Sequence, residues 1–497
     1  MVDISDLTVQ NPWWVSGKLV NDPKLEEYDS SKFKWDPRIR KKISLETEGV
    51  YIIRGARRIG KTTLLRLVIR DVLSKGWKSQ NIFFWSCDNV NDRKELHDII
   101  STYLKWAGNE DIKLICIDEV TFVPEWELAY KAIFEEFGLS NKIFLFTGSS
   151  SYDLKVSSER LPGRKGKNGR AQILFVPMKF SEYIKLIKPN LYRQLVNAWG
   201  ISGEFGVLSY PTKELHELLL NPKRRKDLTL LINRMMPLKN QLDNLIDGFI
   251  LTGGVIKPIN ELLSSHKIEN STYEMYIEWV LGDISMLNLS QKTAKNLMRS
   301  LISNTGNMVG WKRLCDNSGI KEERTAMEYI EALNTIFLIN YTEKIDLNKK
   351  GPVLRSNRKF YFTNPFFYLA FSNYLKNPAS DYFIESKKSL NDPEIKSKLV
   401  EGIVYDHLIR LAYNLNPSDL FDPKDIVFYS YADKEIDFIL KNGNAVSAFE
   451  LKYQNKINSE DYKGLQKFNG NKYMISKNEL DLENIITIPL SIFVSLV

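Results

Sequence analysis

At 497 residues, 43% hydrophobic and 26% charged, with a formal net charge of +8, the chain is too long for one core and too apolar to be disordered. A soluble globular protein of roughly two to four domains is expected. The small positive excess permits a nucleic-acid partner without requiring one. Cys87, Cys116 and Cys315 are far apart, no CxxC occurs and there are four histidines, which argues against a disulfide framework or a zinc site and for a reducing, cytoplasmic setting. The N-terminus lacks the pattern of a signal peptide. The longest apolar tract, IITIPLSIFVSLV, is too short to cross a bilayer, contains Pro489 and reads as one or two terminal strands.

In chain order, residues 1–45 form an irregular, aromatic segment with Trp13, Trp14, Trp35 and Pro37. Over 46–190, the strands VYIIR, NIFFWSCD, KLICIDE and KIFLFTGSS alternate with the helices KTTLLRLVIRDVLSKG, RKELHDIISTYLKW and WELAYKAIFEEFG. Continuous apolar strands alternating with helices predict an α/β fold, a parallel sheet covered on both faces. Residues 191–304 read as a helical region. Over 305–377, WKRLCDNSG and IKEERTAMEYIEALNT are two helices about a Gly-containing turn, followed by the ribbon IFLINYTEKI and KFYFTNP, a winged helix-turn-helix pattern. Residues 378–497 open with the helix PEIKSKLVEGIVYDHLIRLAYNL and continue in strands, the helix SEDYKGLQKFNG and a terminal strand.

The clearest chemistry lies at Gly55-Ala56-Arg57-Arg58-Ile59-Gly60-Lys61-Thr62, which fits GxxxxGK[ST] between a strand and a helix; with Thr63 it is the expected ATP-binding loop. Its glycines let backbone N–H groups turn toward phosphate oxygens, and the helix N-terminus adds a favourable field. Lys61 is expected to reach the β- and γ-phosphates and Thr62 to ligate magnesium. LICIDE carries Asp118 and Glu119 to the C-terminal end of a strand, where open α/β sheets bind ligands. Asp118 is the second expected magnesium ligand, and Glu119 the group that polarises an attacking water, so hydrolysis is the expected reaction. Thr147 and Ser149 are candidate sensors of the γ-phosphate. Arg164 reads either as an arginine finger, serving its own chain or a neighbour's, or as a loop charge beside Lys165, Lys167 and Arg170.

In the winged-helix segment, Lys312, Arg313, Lys321 and Arg324 would give salt-dependent contacts to phosphates. Glu322, Glu323, Glu328 and Glu331 share the second helix and make it a poor groove reader. DNA contact and a packing or oligomerisation role both stay open.

The stretch EIDFILKNGNAVSAFELKY (435–453) reads as a hairpin turning at Asn442-Gly443. That register sets 437 against 448 and makes Asp437 and Glu450 diagonal neighbours, with Glu435 opposite Glu450. Ile436, Phe438, Leu440, Phe449 and Leu451 fall on the other, core-facing side. Like charges so close call for a cation, and oxygen ligands suit a divalent metal. Asp437, Glu450 and Lys452 resemble the D…ExK arrangement of the PD-(D/E)xK nuclease fold. That fold usually opens with a helix carrying a Glu, here Glu401. Glu401, Asp437 and Glu450 are the expected metal ligands, with Lys452 beside them to orient or deprotonate a water. A solvent-facing edge strand with mixed charges is the alternative.

Together NPWW, GARRIGKTTLL, ICIDEV with PEWELAYKAIF, FLFTGSS and ERLPGR resemble an archaeal AAA-type P-loop ATPase family whose C-terminal half is the DUF4143 region. FILTGG at 249–254 is a looser match to that family's GGFP element. The likeness covers nearly the whole chain. It implies a P-loop ATPase parallel sheet with a helical extension, a winged helix-turn-helix and a C-terminal restriction-endonuclease-like α/β domain. It implies ATP and Mg2+, with a second Mg2+ or a Mn2+ in the C-terminal domain. The expected partner is nucleic acid, with no membrane, and a homo-oligomer fits because AAA-type proteins often form rings. The leading expectation is a Mg-dependent ATPase that positions a nucleic-acid-processing domain. The alternative is an ATP-driven switch or scaffold whose winged helix and inactive nuclease-like domain are interaction surfaces.

Overall fold

The computed structural model describes residues 2–148, 172–200, 202–203, 206–207, 213–419 and 421–497. Ser149 and Arg164 lie outside the described residues. The chain divides into two compact units, one of residues 1–176 with 335–337, the other of 177–334 with 338–497. Segments 191–304, 305–377 and 378–497 thus fall almost wholly in the second.

The first unit is built on a five-stranded parallel sheet in the order Ile82–Ser86, Lys113–Asp118, Lys142–Gly148, Gly49–Arg54, Gln172–Leu174. Its inner strands are buried along their whole length, which explains their unbroken apolar reading. Phe83, Ile115, Phe144 and Phe146 pack against Ile100 and Tyr103 of helix Arg93–Ala107 and Tyr130 and Ile133 of helix Trp126–Phe137.

The N-terminal segment is more ordered than its composition suggests. Helices Ile4–Thr8, Trp13–Ser16 and Pro23–Ser30 are each short, too short to show a periodicity. Tertiary bonds hold this segment to the edge strand Ile82–Ser86. The Asn11 amide accepts from Phe84 N–H (2.7 Å) and donates to Phe84 C=O (3.0 Å). Both indoles, Trp13 and Trp14, donate to Ile82 C=O at 2.9 Å, and Gln10 accepts from Ser86 N–H. Side chains thereby satisfy an edge that would otherwise stand open.

The second unit begins with helices running from Phe180–Ile187 to Gln291–Asn304. Helices Trp311–Ser318 and Glu323–Thr335 follow, then a three-stranded antiparallel sheet in the order Met308–Val309, Arg358–Phe362, Ile339–Glu343. Helix Pro393–Leu415 leads into a five-stranded mixed sheet of Val427–Tyr431, Glu435–Asn442, Ala445–Lys452, Asn471–Ser476 and Ile486–Pro489.

Two expectations for this sheet are corrected. The chain beyond Pro489 is a helix, Leu490–Leu496, buried at every residue; complete burial overrides the β propensity of its branched residues and hides any one-sided pattern. The hairpin turns at Gly443-Asn444, with Asn442 opposite Ala445 and Ile439 opposite Ala448. Gly443 takes φ +57°, the first position of a turn that favours glycine there. The shift of two residues keeps side-chain parity within this pair. Toward Val427–Tyr431, however, Phe428 faces Ile439 while Ser430 faces Ile436, so Asp437 and Phe438 together oppose Tyr429, a β-bulge. It splits the expected apolar face. Ile436 joins Ile439 and Ala448 in one core, and Phe438 packs instead on the rings of Tyr361 and Tyr405.

Candidate functional site

Strand Gly49–Arg54 ends in the loop from Gly55, and helix Lys61–Ser74 begins at Lys61. The loop is pressed into place from behind. Phe175 N–H donates to Arg54 C=O (2.7 Å), and a Cβ on Gly55 would collide with the Phe175 carbonyl oxygen. No side chain fits there, and this contact, not a turn, demands the first glycine. Gly55, Ala56, Ile59 and Lys61 are buried, Arg57, Gly60, Thr62 and Thr63 partly so, and Arg58 is exposed with φ +60°. Arg57 lies over the Phe122 ring at 5.1 Å.

Lys61 folds back over the loop, donating to Gly55 C=O and Ala56 C=O at 3.0 Å each, with Glu119 Oε1 at 3.8 Å. The Thr62 hydroxyl donates to Asp118 Oδ2 at 2.7 Å. The Thr147 hydroxyl donates to Asp118 Oδ1, and Glu119 N–H donates to Thr147 Oγ1 at 3.2 Å. Strands Lys113–Asp118 and Lys142–Gly148 are sheet neighbours, so Asp118 and Thr147 meet at their C-terminal ends. Glu119 follows in a left-handed conformation, φ +51°, sparsely populated for a non-glycine residue and frequent at functional sites. Its Oε2 is buried without a hydrogen-bond partner among the described residues.

This constellation fits a nucleotide with magnesium. Thr62 and Asp118 supply the hard oxygen donors that magnesium takes. Lys61 adds its ammonium at a helix start whose dipole and free N–H groups favour a phosphate anion. Glu119 keeps an unused acceptor oxygen at the same place. The loop and strand-end residues expected from sequence, Thr147 included, are thus brought together.

The C-terminal residues gather differently. Lys359, on strand Arg358–Phe362, is 1% exposed. Its Nζ stands 2.7 Å from Glu401 Oε1, 2.7 Å from Glu435 Oε1 and 3.0 Å from Asp437 Oδ1. The Tyr361 hydroxyl also donates to Glu401 Oε1 (2.7 Å). Asp437 Oδ2 accepts from Leu451 N–H (2.9 Å) and Glu450 Oε2 from Asp437 N–H (3.1 Å). Glu450 Oε1 pairs with Lys452 Nζ at 2.6 Å.

Burial alone would lower the Lys359 pKa; Glu401, Asp437 and Glu435 together with Tyr361 hold it well above the ordinary lysine value. Burial raises Glu401. Burial and then Asp437 push Glu450 up to about 8, against the pull of Lys452. For Asp437 the burial cost is outweighed by Lys359, Lys452 and the Leu451 N–H, and its pKa falls.

Glu401 and Asp437, expected as metal ligands, converge on the Lys359 ammonium, and Glu450 is turned to Lys452. Among the described residues no three His, Cys, Asp or Glu side chains are arranged to hold a metal ion. Sequence reading missed Lys359. The signal was present: in KFYF the alternation that points Phe360 and Phe362 one way points Lys359 and Tyr361 the other, toward an interior. Lys312, Arg313, Lys321 and Arg324 lie on or beside helices Trp311–Ser318 and Glu323–Thr335.

Among the described residues no helix is long and apolar enough to cross a membrane. The family model described as an AAA domain matches residues 47–184, and the model of a domain of unknown function, DUF4143, matches residues 396–493. An uncharacterised protein of Haemophilus influenzae is 21% identical over 424 residues, 84% of this chain and 85% of that one. The Walker-type ATPase of Pyrococcus abyssi is 15% identical with a TM-score of 0.36, covering 74% of this chain and 97% of that one. The ORC2 protein of Aeropyrum pernix is 12% identical with a TM-score of 0.32, covering 69% and 92%. By its phosphate loop, its parallel sheet and these family matches, the chain carries an AAA-type P-loop ATPase domain, followed by a C-terminal DUF4143 domain.

Proposed function

We propose that this chain is a magnesium-dependent ATPase whose hydrolytic cycle serves a C-terminal unit that binds a partner, nucleic acid or protein, and does not cut it. The observation that supports hydrolysis is the grouping of Lys61, Thr62, Asp118, Thr147 and Glu119 within hydrogen-bond or ion-pair reach of one another. Bound magnesium would neutralise phosphate charge there. The protein's part is to hold the γ-phosphoryl group by Lys61 and the loop N–H groups and to orient a water through Glu119. The expected result is ATP turnover that Lys61→Ala abolishes, whereas Glu119→Gln binds ATP and hydrolyses it at least about 100-fold more slowly. Full ATPase activity in Lys61→Ala refutes the assignment.

The binding reading of the C-terminal unit rests on Lys359, whose ammonium takes up Glu401, Glu435 and Asp437. Incubation with single- and double-stranded DNA and RNA in magnesium or manganese tests it. Metal-dependent cleavage that disappears in Asp437→Ala would overturn it in favour of a nuclease. Stimulation of ATP turnover by nucleic acid, falling steeply with salt, would identify nucleic acid as the partner.

A further inference from the structure

The chain passes from the first unit to the second between Val176 and Pro177. On the near side, Phe175 is bound to the phosphate loop by its backbone. Its N–H donates to Arg54 C=O at 2.7 Å, and its carbonyl oxygen lies against Gly55, where a Cβ would collide with it. The residue is 2% exposed, and its ring stacks on Trp35, with centroids 5.3 Å apart and planes 7° from parallel. On the far side, Arg410 Nη1 donates to Pro177 C=O at 2.9 Å, Met178 N–H to Gly254 C=O at 3.0 Å and Phe180 N–H to His407 Nε2 at 3.3 Å. The Met178 carbonyl fills the space that a Cβ on Gly254 would need. Arg410 is itself held by Asp406 at 2.7 Å. Asp406, His407 and Arg410 all belong to helix Pro393–Leu415, which leads into the C-terminal sheet.

The joint between these two anchorages is stiff. Only Val176 separates Phe175 from Pro177. Proline fixes its own φ and confines the residue before it to extended backbone. A displacement of Phe175 therefore meets little torsional freedom before it reaches Pro177 and the bonds to helix Pro393–Leu415. We propose that Phe175–Phe180 is a coupling strap, which carries changes at the phosphate loop to helix Pro393–Leu415, with Phe175 as the positioning residue at its loop end. The strap rests on the ATPase reading above. Lys61 donates to Gly55 C=O and Ala56 C=O, and turning to a phosphate releases both carbonyls at the place where Phe175 bears on the loop. Nucleotide occupancy thereby biases the second unit. Coupling of this kind is reciprocal, so a partner that shifts helix Pro393–Leu415 alters nucleotide affinity.

Hydrogen exchange read by mass spectrometry over residues 177–184 and 403–413 tests this. It is measured without nucleotide and with a saturating non-hydrolysable ATP analogue and magnesium, after a fluorescent ATP analogue has established binding. Exchange over both stretches should change by at least about fivefold on binding, and over helix Trp311–Ser318 by less than about twofold. Inserting Gly-Gly between Val176 and Pro177 leaves every bonded residue in place and adds slack. That variant should bind nucleotide and show no change over the two stretches. Unaltered exchange in unsubstituted protein that has bound nucleotide overturns the proposal and leaves the ATPase reading standing. So does a full change in the insertion variant. Failure of the unsubstituted protein to bind nucleotide overturns both. If the insertion variant does not fold or does not bind nucleotide, Pro177→Gly takes its place. It frees the torsion at unchanged length and should cut the change by about half, and an undiminished change overturns the proposal.

Discussion

Asn11 carries more of the first unit's stability than its place in a short N-terminal segment suggests. Its side chain is fully buried and makes three hydrogen bonds, to Phe84 N–H, Phe84 C=O and Leu7 C=O, at 2.7, 3.0 and 2.8 Å. Asn11→Ala leaves the two Phe84 groups on the edge strand without partners. A buried polar group so stranded costs about 1–3 kcal/mol, so the pair costs about 4 kcal/mol, before any contribution from the space left by the amide. That is close to a thousandfold shift in the equilibrium for opening this edge. Hydrogen exchange read by mass spectrometry over residues 82–86 is the direct assay. Protection at Phe84 should fall by two to three orders of magnitude, while strand Lys142–Gly148 at the sheet's centre keeps most of its own. Asn11→Asp should do no better than alanine: it keeps an acceptor for Phe84 N–H but turns a carboxylate oxygen toward two carbonyls. If exchange over 82–86 in Asn11→Ala stays within threefold of the unsubstituted protein, the edge is held by something other than this amide.

Two further outcomes follow from backbone and titration. Gly55→Ala sets a methyl group against the Phe175 carbonyl, so nucleotide affinity should drop at least tenfold, measured with a fluorescent ATP analogue, with a lowered thermal midpoint. His407 is wholly buried; Nδ1 donates to Ile403 C=O (2.8 Å) and Nε2 accepts from Phe180 N–H (3.3 Å). Burial, then Arg410 and Lys179, drive its pKa down to about 3. The folded state therefore stays neutral where the unfolded state takes up a proton. Its contribution is whole above about pH 6.5 and is lost as pH falls toward 3, about 2 kcal/mol of it by pH 5. Denaturation midpoints of the second unit should decline between pH 7 and 5, and His407→Gln should flatten that slope.

The first unit was legible because its determinants are local. GARRIGKT sits between one strand and one helix, and Asp118 and Glu119 mark a strand end. These placements depend on chain neighbours and on a parallel sheet that unbroken apolar strands announce. What escaped depends on partners far along the chain. Asn11 and Trp13 bond to a strand about seventy residues away, and no periodicity records that. Lys359 lies 42 residues before Glu401 and 78 before Asp437, on a strand adjacent in sequence to neither. The bulge at Asp437 and Phe438 arises from pairing with Val427–Tyr431, so the hairpin alone could not reveal it. The Gly443-Asn444 turn lies one residue beyond the expected one and shifts the pairing by two, which preserves parity and leaves the pattern of alternation blind to the difference.

Both oxygens of Asp118 accept a hydroxyl hydrogen, one from the phosphate-loop helix at Thr62 and one from the neighbouring strand at Thr147, and Thr147 in turn accepts from the backbone of Glu119. The carboxylate is thus pinned from two sides and cannot rotate about its last bond without breaking a contact. Its orientation is settled during folding, before any nucleotide arrives, so that reorganisation at this position adds little to the barrier of the reaction. The same hydroxyl of Thr147 ties the Asp118 carboxylate to the backbone of Glu119, and a displacement of either is felt by the other through a single atom.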